Sequence, residues 1–182
     1  GYQRTREMTL DDLLALEPGA RERLNGLWLG YTESPGHPDL RREIAALYTD
    51  VPADGILVHC GAEEAIFNFM NVALSPGNHV IVQAPHYQSL GEVARGIGAR
   101  ISEWRGDPQR GWALDLDDLE RVLTTSTKVV VVNFPHNPTG FLPSRDTFMT
   151  LLDTVRHSGA YLFSDEMYRF LEIDGNTTLP AG

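Results

Sequence analysis

The chain has 182 residues, of which 42% are apolar, a formal charge of -10 and a single cysteine, Cys60. A nucleic-acid or anionic-membrane partner is disfavoured, because such surfaces are bound through clustered Lys and Arg and this sequence has no such cluster. We therefore expect small-molecule partners. One cysteine excludes an internal disulfide, and no apolar run approaches the roughly 20 residues of a membrane span, so we expect a cytoplasmic setting.

Short runs rich in valine and isoleucine alternate with segments of helical period. This pattern predicts an α/β fold, a three-layer sandwich with a mostly parallel central sheet between helices. The candidate strands are Ile56 to His59, His79 to Ala84, Ala99 to Trp104, Lys128 to Asn133 and Ala160 to Ser164. Apolar helical stripes lie at residues 40–48, 62–73 and 148–155, with Ser144 as the cap of the last helix.

Five motifs occur in a fixed order along the chain. They are Tyr31 with Gly36 and Leu40-Arg41, then Gly61-Ala62-Glu63, Pro85-His86-Tyr87, Asn137-Pro138-Thr139-Gly140, and finally Asp165 with Tyr168. In parallel sheets, ligands bind in the crevice outside the carboxyl ends of the strands. We therefore expect the motifs that follow strands to meet at that edge. The six histidines lack metal-ligand spacing, so we expect no metal site.

Three of these motifs have a direct chemical interpretation. The turn at 61–63 opens a helix whose free N–H groups are suited to a phosphate, although an ordinary strand-to-helix turn is the alternative. The Asn137-Pro138 loop aims an amide donor, with a plain turn as the alternative. A carboxylate such as Asp165 at the end of a buried strand is costly unless it meets a positive partner, and a helix cap is its alternative.

In this order, the motifs resemble those of the fold-type-I pyridoxal-phosphate enzymes, the class I/II aminotransferases and their relatives. The resemblance covers roughly residues 27–173 and implies an incomplete aminotransferase-like large domain. Residues 1–30 would form an N-terminal segment, and residues 31–182 the first part of the cofactor-binding domain. The implied cofactor is pyridoxal 5'-phosphate, and the implied substrates are an amino acid and a 2-oxo acid.

The resemblance also implies which residues hold the cofactor phosphate and one face of its ring. Backbone groups of Gly61, Ala62 and Glu63 match the phosphate-binding turn. Tyr87 matches an aromatic residue that stacks on the pyridine ring. Tyr31 matches a tyrosine that reaches across a dimer interface to the partner's phosphate, which implies a homodimer; from spacing alone, a surface loop before a helix is equally compatible.

Three further residues match positions that set the electronic state of the ring. Asn137 and Tyr168 would hydrogen-bond the phenolic oxygen. Asp165, the candidate catalytic residue, would pair with the protonated ring nitrogen, and the resulting cationic ring withdraws electrons from the substrate's α-carbon.

The sequence departs from the family pattern after the aspartate motif. Members continue to a Ser-x-x-Lys stretch, whose lysine forms an imine with the cofactor, and to a smaller C-terminal domain; neither is present. The only lysine, Lys128, starts a strand, and a rise of about 3.3 Å per residue places it more than about 10 Å from Asn133. We expect this chain to be part of a longer polypeptide or of a two-chain assembly, with a gap in its sheet after the first strand.

The preferred interpretation is an aminotransferase large-domain portion. A lyase, decarboxylase, cyclase or amino-acid oxidase of the same fold type would share every motif present. A non-catalytic domain that binds pyridoxal phosphate is a second class of function. A nucleotide-binding domain is disfavoured, because neither a Gly-x-Gly-x-x-Gly nor a Walker-type loop occurs.

Overall fold

The computed structural model describes residues 8–172 and 179, and the chain divides into two compact units, Gly1–Ser34 and Pro35–Gly182. The first unit contains two short helices, α1 (Leu10–Leu14) and α2 (Ala20–Asn25). Helix α1 begins at a capping box, in which Thr9 and the third helical residue, Asp12, each accept a hydrogen bond from the other's backbone N–H.

The second unit alternates helices and strands, as the sequence predicts. Its helices are α3 (Pro38–Ala45), α4 (Ala62–Ala73), α5 (Gln88–Ile97), α6 (Leu116–Val122) and α7 (Arg145–Ser158), and its strands are β1 (His79–Ala84), β2 (Arg100–Arg105), β3 (Thr127–Asn133) and β4 (Tyr161–Asp165). Ser144 caps α7 as expected, accepting from the N–H of Thr147 at 3.1 Å.

All four strands run parallel, in the order β2-β1-β3-β4. The carboxyl ends of the strands therefore lie along one edge of the sheet. Register matters most between β3 and β4, where Asn133 is paired with Asp165. This pairing places the Asn137 loop and the Asp165 turn next to each other in space.

The prediction of a strand from Ile56 to His59 is wrong. These residues follow a short 3-10 turn, Ala53–Gly55, and belong to no strand. Their backbone groups bond elsewhere, since Val58 N–H donates to the Pro35 carbonyl at 2.8 Å and the Ile56 carbonyl accepts from Arg41 Nε at 2.9 Å. An extended segment becomes a strand only when another strand takes its hydrogen bonds, and no described strand pairs with this one.

Helices cover both faces of the sheet, which confirms the three-layer architecture. Alternate residues of β1 and β3 point to opposite faces, so each face has its own apolar cluster. One cluster joins Val80, Val82, Val129 and Val131 to α4 and α5 through Ile66, Met70, Leu90 and Ala94, and the other joins Ile81, Val130 and Val132 to α6 and α7 through Leu119, Phe148, Leu151 and Val155. These valines are fully buried, which explains why β3 is apolar without alternation.

A polar cluster closes the opposite, amino-terminal edge of the sheet. His79 is 5% exposed, and its ring nitrogens lie 2.8 Å from Thr127 Oγ1 and 2.9 Å from Ser102 Oγ. Thr127 Oγ1 also accepts from the Thr124 N–H at 3.0 Å.

Among the described residues, no helix has the length and apolar character that a membrane span needs.

Candidate functional site

Asp165 ends β4 with its carboxylate half-buried at the carboxyl edge of the sheet. Its Oδ1 accepts from the N–H of Met167 at 3.0 Å, and no Lys, Arg or His among residues 8–172 forms an ion pair with it. Burial raises the pKa of Asp165; the Met167 N–H opposes this shift and the nearby charge of Glu63 adds to it. The carboxylate is thus placed where a cation would stabilise it.

The Asn137 loop lies beside Asp165 and is held by the side chain of Asn133. The N–H of Asn137 donates to Asn133 Oδ1 at 2.7 Å, while Asn133 Nδ2 donates to the Asp165 carbonyl at 2.9 Å. The Asn137–Pro138 and Phe134–Pro135 peptide bonds are cis. Through its two hydrogen bonds, the side chain of Asn133 joins this loop to the end of β4.

His136 connects the Asn137 loop to the loop after β1. Its side chain is 4% exposed, with Nε2 2.8 Å from the Pro85 carbonyl and Nδ1 2.6 Å from Thr139 Oγ1. Burial lowers the pKa of His136, so a neutral ring donates to Pro85 and accepts from Thr139. Sequence reasoning did not assign His136 or Asn133 a role, although both lie in the segment that carries the Asn137 motif.

Tyr87 follows this loop and is the N-cap residue of α5. Its side chain is 47% exposed, so much of the residue remains accessible to a ligand. In the first turn of α5, Ser89 Oγ donates to Glu63 Oε1 at 2.8 Å. This bond ties the start of α5 to the start of α4, and with it the position of Tyr87 to the turn at Gly61, Ala62 and Glu63.

Gly61 forms the N-cap of α4 with φ 116° and ψ 164°, a conformation that essentially only glycine adopts. It supplies no side-chain cap, and a Cβ placed there would meet no atom within 4 Å. The first turn of α4 therefore faces open space with backbone N–H groups. One nearby donor is taken, because the Cys60 N–H bonds to Glu64 Oε2 at 2.6 Å.

Tyr168 lies half-buried in the turn after β4, a turn that an ion-paired cluster holds in place. Glu166 Oε2 accepts from Tyr48 Oη at 2.9 Å and from Arg169 Nη1 at 3.2 Å. Arg169 also lies 4.7 Å above the Tyr48 ring, a cation–π contact. Sequence reasoning missed this cluster, since it placed Tyr48 on an apolar helix face and gave Glu166 and Arg169 no role.

Two residues of the sequence analysis lie outside this group. Tyr31 belongs to the first compact unit, where its side chain is 97% exposed. Lys128 is an exposed residue at the amino-terminal end of β3, the end opposite Asn133. The described residues contain no group of three or more His, Cys, Asp or Glu side chains that could hold a metal ion.

The donor set fits an anionic heteroaromatic ligand with a basic ring nitrogen. The first turn of α4 offers N–H groups to a phosphate, and Asp165 offers a carboxylate to a protonated nitrogen. The ring of Tyr87 supplies an apolar surface next to these groups. The arrangement thus combines an anion site, an aromatic surface and a cation site along one sheet edge.

Comparisons with known proteins agree with this geometry. The model of the family "aminotransferase class I and II" matches residues 5–177. Capreomycidine synthase of Streptomyces vinaceus is 37% identical over 169 residues, covering 91% of this chain and 43% of the relative. Aspartate aminotransferase of Sulfolobus acidocaldarius is 30% identical over 165 residues, covering 86% and 41%.

Solved structures give the same result. The crystal structure of a PLP-dependent aminotransferase from Streptococcus suis superposes with a TM-score of 0.86 at 32% identity, covering 95% of this chain and 46% of that one. Aspartate aminotransferase of Thermus thermophilus superposes with a TM-score of 0.78 at 31% identity, covering 82% and 40%. The chain spans less than half the length of each of these proteins.

The backbone at Gly61 provides a test of the α4 turn. Gly61→Ala would force a β-carbon into a conformation that costs about 1–3 kcal/mol, although it meets no neighbouring atom. We expect a loss of that size in the free energy of unfolding and weaker binding of inorganic phosphate, measured by denaturant titration and calorimetry.

Gly96→Ala is the matched control. Gly96 lies in α5, a Cβ there also meets nothing within 4 Å, and its φ is not positive. Alanine is favoured over glycine in helices, so this variant is expected to be as stable as the wild type or more stable. Equal effects of the two substitutions would contradict a special backbone conformation at Gly61.

Proposed function

This chain belongs to the class I and II aminotransferase family, and from that premise we propose that it is the cofactor-binding part of a pyridoxal-phosphate-dependent aminotransferase. The whole protein would transfer an amino group between an amino acid and a 2-oxo acid. Family membership, the donor set of the sheet edge and the relatives named as aminotransferases support the proposal.

The observation that carries the proposal is the state of Asp165. Burial raises its pKa, and no basic side chain of the described residues pairs with it. A protonated pyridine nitrogen is a cation of suitable size and would make the carboxylate form favourable. If Asp165 served only the stability of the fold, its carboxylate would be expected to pair with a basic side chain of the protein.

The cofactor, when bound, supplies a conjugated ring that accepts electrons from the substrate's α-carbon. In this proposal Asp165 holds a proton on the ring nitrogen. The amide of Asn137 and the hydroxyl of Tyr168 donate to the phenolic oxygen, and the ring of Tyr87 covers one face of the cofactor and excludes water there.

The phosphate would be bound by the backbone at Gly61, Ala62 and Glu63. Their position at the start of a helix of 12 residues supports this role, because the helix dipole favours an anion there. The carboxylate of Glu63 does not need to face the phosphate, since it already accepts from Ser89 Oγ.

We further propose that other parts of the whole protein complete the site. Residues 1–30 would act as the N-terminal segment and 31–182 as the first part of the large domain. The lysine that bonds covalently to the cofactor and the group that binds the substrate carboxylate would come from the remaining segments. Lys128 is unsuited to the first role, since it lies at the other end of β3.

A second candidate function is favoured by one comparison. Capreomycidine synthase is named as a synthase rather than as an aminotransferase, and it is 37% identical to this chain. A lyase, decarboxylase, cyclase or oxidase reaction would use the same ring-binding residues. Transfer of the amino group to a 2-oxo acid, measured as one new amino acid for each amino acid consumed, distinguishes aminotransfer from these reactions.

The setting and assembly of the whole protein are also part of the proposal. We propose a cytoplasmic homodimer in which Tyr31 contacts the partner's cofactor phosphate. The 97% exposure of the Tyr31 side chain supports this role, because a tyrosine that reaches a partner must project from its own protomer. No nucleic-acid or membrane partner is proposed, in keeping with the net charge of -10.

Asp165→Asn tests the catalytic role in the complete protein. The amide is nearly the same size but cannot keep a proton on the ring nitrogen, so kcat for amino transfer should fall by roughly 100-fold or more with the fold intact. Asp153→Asn is the matched control, because Asp153 is an exposed residue of α7 paired only with Arg156. Equal kcat values for Asp165→Asn and wild type would remove Asp165 from the mechanism.

Hybrid dimers test the role of Tyr31. A dimer of one Tyr31→Ala chain and one Asp165→Asn chain contains one site with both substitutions and one intact site, if Tyr31 serves the partner. We expect such purified hybrids to have about half of wild-type activity, whereas either parent dimer is nearly inactive. Hybrids as inactive as their parents would show that Tyr31 serves its own protomer.

A further inference from the structure

Asn133 is a buried side chain at the carboxyl edge of the sheet that makes two hydrogen bonds and has no assigned role. It is the last residue of β3, it is 2% exposed, and its register partner is Asp165. Both functional groups of its amide are used, since Nδ2 donates to the Asp165 carbonyl at 2.9 Å and Oδ1 accepts from the Asn137 N–H at 2.7 Å. Its own N–H donates to Gln83 Oε1 at 2.9 Å, which anchors it to β1.

These bonds connect the two residues that would contact two different polar atoms of the cofactor. Asp165 would meet the ring nitrogen and Asn137 the phenolic oxygen. An amide is the only side chain of this length with one donor group and one acceptor group on the same planar end. Each bond therefore depends on asparagine at this position. Loss of Oδ1 removes the acceptor of the Asn137 N–H, whereas loss of Nδ2 removes one donor to the Asp165 carbonyl, which also accepts from the Phe134 N–H at 3.0 Å.

We propose that Asn133 is a positioning residue that sets the spacing between Asp165 and Asn137 for the ring of the cofactor. The inference deepens the proposed function and rests on it. Asn133 would not touch the cofactor; it acts through the backbones of the two residues that do. Groups that are already held in place lose less conformational freedom when the ligand binds. A displaced contact would therefore weaken binding of the cofactor.

Two variants separate the two bonds. Asn133→Asp keeps an oxygen for the Asn137 N–H but loses the Nδ2 donor to Asp165, and Asn133→Ala loses both bonds. We expect the dissociation constant of pyridoxal phosphate, measured by equilibrium dialysis on the complete protein, to rise about tenfold in Asn133→Ala. We also expect the pH midpoint of the bound cofactor's visible absorbance to shift, since the Asn137 donor bears on the phenolic oxygen.

Thr127→Ala is the control for a general loss of stability. Thr127 is at the other end of β3, is 4% exposed, and bonds through its hydroxyl to His79 and Thr124. We expect Thr127→Ala to lower the unfolding temperature, as we expect of the Asn133 variants. The cofactor dissociation constant should remain within about twofold of wild type, because distant sites act independently.

The outcomes distinguish the two proposals. An unchanged dissociation constant and pH midpoint in Asn133→Ala, with wild-type binding intact, would overturn the positioning role alone and leave Asn133 a structural residue. Failure of the wild-type protein to bind pyridoxal phosphate would overturn the proposed function and this inference together. If Asn133→Ala does not fold, Asn133→Leu, which fills the site and makes neither bond, decides the question with the same two measurements, and wild-type values in it overturn the role.

Discussion

The parallel pairing of β3 with β4 is the constraint on which the rest of this site depends. It puts Asn133 beside Asp165, and the side chain of Asn133 then joins the Asp165 backbone to the loop that carries Asn137. Residues alternate between the faces of a strand, so a register shift of one residue would turn Asp165 to the other side. The four buried valines before Asn133 fix that register, because both faces of β3 are packed against helices.

Hydrogen bonds between helices and loops hold the residues of the candidate site at one sheet edge. Glu63 and Ser89 tie the start of α4 to the start of α5, and His136 ties the Asn137 loop to Pro85. These bonds join segments that are distant in sequence. Burial raises the pKa of Asp165, and no Lys, Arg or His of the described residues forms an ion pair with its carboxylate.

Much of this arrangement was predictable from the sequence, since it depends on local pattern. The apolar run of β3, the cap at Ser144 and the placement of the Asn137 and Asp165 motifs at the ends of β3 and β4 follow from residue type and spacing. The prediction of a strand at 56–59 is wrong for a physical reason. The composition of this segment is that of a strand, but a strand also needs a neighbour to take its hydrogen bonds.

The side-chain contacts between distant segments could not be predicted, because no local pattern in the sequence pairs them. Asn133 and Gln83 are 50 positions apart, and Tyr48 and Glu166 are 118 apart. Nothing local in the sequence marks Tyr48 as a donor to Glu166 rather than a member of an apolar stripe. Such pairs are determined by the register of the sheet and the packing of helices, and these become known only with the fold.

The most direct test of this account is nitrogen NMR of the complete protein with pyridoxal phosphate labelled with nitrogen-15 in its ring. The central claim is that Asp165 keeps a proton on the ring nitrogen. The account predicts the chemical shift of a protonated nitrogen in the wild type at neutral pH, and that of an unprotonated nitrogen in Asp165→Asn. An unprotonated nitrogen in the wild type, or the same shift in both proteins, would contradict it.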